Sequence, residues 1–154
     1  MLGGAVLSAT VRQMRHLFGL DLEEVTSVRL ISRARQLQMP MGELAGRYVE
    51  EGLRMDEHQR VLFRDGPAGR RAGLAGGLDV WEMIMVVQAH DGDVGASADY
   101  LELPVSLVQS AVSYYEAYPD EINERISNNE RLGSERAEAA RLASGREADN
   151  TGRT

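Results

Sequence analysis

A chain of 154 residues with 43% hydrophobic content has room for one core or two small ones, and its composition is that of a soluble globular protein. It holds no cysteine, which excludes disulfides, thiol catalysis and cysteine-based metal sites. No apolar run approaches the ~18 residues of a membrane span, and residues 1–18 lack the apolar core and cleavage pattern of a signal peptide, so a cytoplasmic protein is expected.

The net charge of −7 is unevenly spread. Residues 1–71 carry eleven arginines against nine acids, whereas 72–154 carry six against fifteen. A basic half suits nucleic acid and an acidic half a basic protein. All 17 basic residues are arginine, which reads as a coding bias of the genome.

Residues 5–13 alternate with period two, Leu7, Ala9 and Val11 against Ser8, Thr10 and Arg12, as in a half-buried strand that could face a DNA groove. The same stretch also reads as a helix packing Val11, Met14, Leu17 and Phe18. Asp21, with Glu24 three residues on, has the form of a capping box opening a helix to about Gln38. Arg29 and Arg33 share one of its faces. Residues 41–57 form an amphipathic helix with Met41, Leu44, Ala45, Tyr48, Val49 and Leu53 on one side. Arg47, Glu50, Glu51 and Arg54 lie off that stripe, as on a solvated face.

Residues 60–77 predict a hairpin and a loop: Val61–Phe63 as one strand, a turn through Asp65–Gly69, and Arg70–Leu74 as the return. Arg60, Arg64, Arg70 and Arg71 crowd this tip with Asp65 as the one acid among them. Such a cluster could hold a phosphate backbone or an acidic partner. Its glycines are no nucleotide loop, because that motif needs a lysine.

Residues 78–118 predict three short helices in a helix-turn-helix-like arrangement. Val80, Ile84 and Val87, with Trp81, Met83, Met85 and Val86, make the first apolar nearly all round, hence central and buried. Asp91-Gly92-Asp93 ends it. Val94, Ala98 and Leu101 carry the second, and Pro104 opens the third, where Val108, Ala111, Val112 and Tyr115 recur at helical spacing. From Ala72 through Glu124 there are ten acids and neither arginine nor lysine. Phosphate neutralisation supplies most of the affinity for DNA, so this unit reads as a protein-docking or dimerising module.

Tyr114, Tyr115 and Tyr118 are either the aromatic edge of the core or a partner-binding anchor. Pro119 restarts a helix with Asp120 and Glu121 in its first turn. From about Ser127 the chain is polar, a helix through 143 and disordered over 144–154. His16, His58 and His90 show no metal-ligand spacing. His58 suits the end of the 41–57 helix, where a histidine complements the dipole. No nucleophile motif is present, so neither catalytic residues, cofactor nor metal is expected.

The runs GELAGRYVEEGLRMDEHQRVLFRDGPAGRRAGLAGG-LDVWE and SYYEAYPDEINERI, within Met41–Asn128, resemble an actinobacterial family of VapB-type antitoxins. These are the partners of PIN-domain toxins and carry a C-terminal helix-turn-helix-like domain. The resemblance implies a transcriptional autoregulator of a toxin–antitoxin pair, with an N-terminal ribbon-helix-helix-like part, operator DNA and a PIN-type toxin as partners, and a homodimer.

A mainly α fold is therefore expected: a helical region over 1–58, a hairpin and loop over 59–77, a trihelical domain over 78–126 and a polar tail over 127–154. DNA contact would fall to Arg12, Arg29, Arg33, Arg60, Arg64, Arg70 and Arg71. Partner contact would fall to Tyr114, Tyr115 and Tyr118. The rival reading is a protein-only adaptor or oligomerisation module.

Overall fold

The computed structural model describes residues 22–67 and 69–151, with side chains to residue 141. The fold is mainly α with one two-stranded antiparallel hairpin, as the sequence predicts. In order the elements are α1 (Glu24–Gln36), α2 (Met41–Glu57), β1 (Val61–Arg64), β2 (Arg71–Leu74), α3 (Val80–Ala89), α4 (Val94–Leu101), α5 (Val105–Ala117) and α6 (Pro119–Thr151). The strand-or-helix alternative over 5–13 and the proposed cap Asp21 lie outside the described residues. The helix itself begins at Glu24, two residues later than a cap at Asp21 would leave it, and stops at Gln36. The chain divides into two compact units inside α2, between Val49 and Glu50.

The first unit buries little. Ala34 and Leu44 are its buried apolar residues among those described. The stripe expected on α2 is present, yet Met41, Tyr48 and Val49 are exposed, as is Leu53 further along the helix. Val25 and Val28 of α1 are exposed as well.

The second unit has a continuous core. Val61 and Leu74 of the hairpin pack with Val80, Met83, Ile84 and Val87 of α3, Leu107, Val108, Ala111 and Tyr114 of α5, and Ile122 and Ile126 of α6. Helix α3 is the central helix its all-round apolarity predicts, with Val80, Met83 and Ile84 almost wholly excluded from water. In the hairpin Val61 faces Leu74 and Arg64 faces Arg71. Gly66 and Gly69 exchange backbone hydrogen bonds across the turn, at 3.1 and 2.9 Å. A second reversal at Gly77, whose φ of 101° suits only glycine, aims the chain into α3.

Three helices end in the same way. The N–H of Met39 returns to the carbonyl of Ala34 at 3.0 Å, that of Gly92 to Val87 at 2.9 Å, and that of Leu103 to Ala98 at 3.0 Å. This six-to-one closure needs a left-handed residue just past the helix, usually glycine. Here the position is held by Gln38, Asp91 and Glu102, with φ of 51°, 53° and 54°. Pro104 sits one residue before α5, and Pro119 is the first residue of α6, where a missing N–H costs nothing. Helix α6 then carries on to Thr151 as one element, past residue 143 where the sequence reading ends it.

Candidate functional site

The arginines proposed as DNA contacts fall into two environments. Arg64 and Arg71, opposite each other on the hairpin, both close on Asp79, the residue that begins α3. Arg64 reaches Asp79 Oδ1 through Nη2 at 2.6 Å and through Nε at 3.0 Å, and also donates to the Gly77 carbonyl. Arg71 donates through Nε to Oδ2. Trp81 Nε1 donates to that same oxygen at 3.3 Å, and Glu82 accepts the Asp79 N–H at 2.8 Å in a capping box. Burial by itself would raise the Asp79 carboxyl. The two guanidiniums outweigh it and hold the group below its ordinary range.

Arg70 makes a two-pronged pair with Glu51 of α2, Nε to Oε1 and Nη2 to Oε2, both at 2.6 Å. Asp65 lies 3.4 Å from its Nη1. The hydrogen bonds that Arg70 donates to Glu51, acting against burial, raise the Arg70 pKa. Glu51 is itself buried, so this position of α2 is an internal ion pair rather than part of a solvated face. Arg60 is exposed and donates to Ser106 on α5.

Arg29 and Arg33 differ from these. Both line an open cavity of about 690 Å³ along α1, together with Thr26, Ser32, Gln36 and Tyr48. Arg33 Nη1 also reaches Gln36 Oε1 at 3.4 Å. Arg12 lies outside the described residues.

The tyrosines divide too. Tyr114 is fully buried, which makes it a core residue and not an anchor open to a partner. Its hydroxyl donates to Glu121 at 3.1 Å and accepts from Arg54 at 3.0 Å. Burial, chiefly, raises the Tyr114 pKa, so the phenol stays protonated through the physiological range. Arg54, expected on a solvated face, is the hub beneath it. It holds Glu121 at 2.7 Å and Glu50 at 2.8 Å, and its guanidinium stacks 4.0 Å over the Tyr118 ring. Burial opposes the charge on Arg54, but Glu50, Tyr114 and Glu121 together raise its pKa. Tyr115 is half-buried and donates to Asn123 at 3.1 Å. His58, just past the end of α2, stands edge-on to Tyr114 and Tyr118 at 5.3 and 5.8 Å.

Sequence reasoning missed two participants, Asp79 and Glu51. For Asp79 a signal existed. Four arginines crowded on one hairpin tip with a single acid repel one another, so the composition of the tip already called for an acid from elsewhere in the chain. Among the described residues no group of three His, Asp or Glu could hold a metal ion, and no helix is long and apolar enough to cross a membrane. No protein-family model, curated protein or solved structure matches this chain.

Proposed function

We propose that this protein is a non-enzymatic, antitoxin-like regulator of the cytoplasm, in which DNA contact belongs to the first unit and protein docking to the second. The observation that carries this reading is the unequal charge of the two units. Three of the four hairpin arginines are committed to carboxylates within their own unit. Arg29 and Arg33 line an open cavity in which threonine, serine and glutamine, ordinary phosphate-contact residues, stand beside Val28, Leu30 and Tyr48. The charges run the same way: residues 1–49 carry six arginines and four acids, and residues 50–154 carry eleven arginines and twenty acids. A polyanion is tolerated by the first and repelled by the second.

The resemblance of Met41–Asn128 to VapB-type antitoxins supports a PIN-type toxin as the docking partner. The apolar residues left exposed on α1 and α2, Val25, Val28, Met41 and Val49, support a homodimer formed through the first unit. The acidic second unit also supports the rival reading, a protein-only adaptor.

The test is a salt titration of binding to the DNA upstream of the gene. Binding is expected at low salt, and Arg29→Ala with Arg33→Ala should weaken it and reduce the slope of log affinity against log salt by about 2. Absence of a shift at low salt removes the DNA role and leaves the adaptor. Co-expression with the neighbouring reading frame tests the docking half, and failure of the two products to co-purify would exclude that frame as the partner.

A further inference from the structure

A cavity of about 530 Å³ opens between the hairpin, the start of α3 and the middle of α6. Neither the DNA contact nor the docking reading uses it. One wall is a single face of α6: Arg125, Asn128, Asn129 and Leu132 follow at i, i+3, i+4 and i+7. Across from them stand Trp81 of α3 and Arg71 of β2, and Arg131 lies at the rim.

The chemistry of these walls is specific. The indole N–H of Trp81 is already given to Asp79, so what Trp81 offers the cavity is its ring. Two acids, Asp79 and Glu82, also line the cavity and are occupied: Asp79 holds Arg64 and Arg71, and Glu82 accepts the Asp79 N–H, while Arg131 at the rim pairs with Glu135. Arg125 is fixed against the hairpin by donating to the Arg70 carbonyl. The cavity is therefore lined by an indole, three guanidiniums, two carboxylates already paired within the fold, and two side-chain amides, each with a donor and an acceptor.

We infer that this cavity is a binding site for a nucleoside monophosphate. The base would stack on Trp81, as bases do on aromatic platforms. The phosphate would take hydrogen bonds from the guanidiniums, whose planar forks match phosphate oxygens. Asn128 and Asn129 would meet the base edge or the ribose hydroxyls. The volume falls within the range of about 300–1,000 Å³ typical of small-molecule sites. A wholly apolar ligand would leave the arginines and asparagines desolvated without partners. A longer strand would bring further phosphates against a unit that holds ten acids and neither arginine nor lysine between Ala72 and Glu124. A single phosphate avoids that repulsion.

Trp81 is the sole tryptophan of the chain, so its emission reports on the site directly. The full chain would be titrated with AMP, GMP and UMP, with adenosine, inorganic phosphate and the peptide acetyl-Leu-Glu-Leu-amide as comparisons. The expected result is saturable quenching by at least one nucleotide with Kd below about 1 mM, and weaker binding of adenosine and of phosphate. Asn128→Asp replaces an amide donor offered to the base edge or the ribose with a carboxylate, adds a negative charge to a cavity that takes an anion, and should weaken binding at least about tenfold, with an unchanged melting curve. Arg131→Glu, at an exposed position, should act in the same direction. The inference is overturned if no nucleotide quenches Trp81, if adenosine binds as well as AMP, if both variants bind like the parent, or if the acidic peptide saturates the site and the nucleotides do not.

Discussion

Asp79 with its two arginines, and Arg131 with Glu135 on the outer part of α6, are the same chemical pair in opposite surroundings. The Asp79 side chain is 6% exposed and its partners Arg64 and Arg71 are 31% and 19% exposed. Arg131 and Glu135 are 61% and 57% exposed, at 2.9 Å. At the hairpin the carboxylate ties together three stretches of chain: β1, β2 and the cap of α3. On α6 the pair joins two neighbouring turns of one helix. Distance alone would rank them as equals. Surroundings and connectivity decide that one organises the second unit and the other decorates it.

The largest effect is expected from removing the shared carboxylate. Asp79→Ala would leave two partly buried guanidiniums without their acid and α3 without its cap. Breaking such a buried pair costs about 3–5 kcal/mol. Urea unfolding monitored by far-ultraviolet dichroism would measure it. A loss below ~1 kcal/mol would show that the hairpin is held to α3 by apolar packing alone, and the comparison with α6 would lose its basis.

Acid titration sharpens the same contrast. The carboxyl of Asp79 lies below its ordinary value in the folded protein. Its contribution is therefore complete above the unfolded value of about 3.9 and is lost as pH falls through the lower folded value. Asp79→Asn removes that dependence. The stability gap between parent and variant should be constant from neutral pH down to about pH 5 and should close below about pH 4. A gap that closes between pH 6 and pH 8 would point to a different titrating group.

Most elements could be read from the residues because their signals are local. Period and punctuation mark α2 from Met41 to Glu57, the strands on either side of Asp65–Gly69, and the three helices broken at Asp91-Gly92 and Pro104. The signals that failed are of two kinds. The left-handed closures at Gln38 and Glu102 carried no signal because the residue there is not glycine, although the helix ends themselves were placed close to them. The ion pairs were invisible because their partners are far apart in sequence: Glu51 with Arg70, Arg54 with Glu121, Arg64 with Asp79. Sequence spacing reports which residues share a helix face, and it carries no information on which face meets another. The same limit hid the cavity beside Trp81, whose residue looked like one more apolar position of α3.

The left-handed positions offer a gain rather than a loss. Glu102 is exposed and holds φ at 54° where a β-carbon is unfavourable. Glu102→Gly should relieve that strain and stabilise the protein by up to about 1 kcal/mol, offset in part by the freedom glycine adds to the unfolded chain. A raised urea midpoint with an unchanged slope would confirm it. A destabilised variant would mean that the Glu102 side chain makes a contribution larger than its backbone strain.

The smallest effect belongs to α6. Glu135→Ala removes one exposed i,i+4 pair, worth about 0.3–0.5 kcal/mol in helices, and substitutes a residue of higher helix propensity. The two changes oppose each other, so the net shift should stay within about 0.5 kcal/mol of zero. Raising the salt should shrink the pair's share further, since both groups are in water, while Asp79, shielded from solvent, should respond far less. Denaturation at low and high salt for the parent and both variants, with urea as denaturant to avoid adding ions, measures the contrast. Equal salt sensitivity at the two sites would mean that water reaches Asp79 as freely as it reaches Glu135, and the hairpin junction would then be another surface pair.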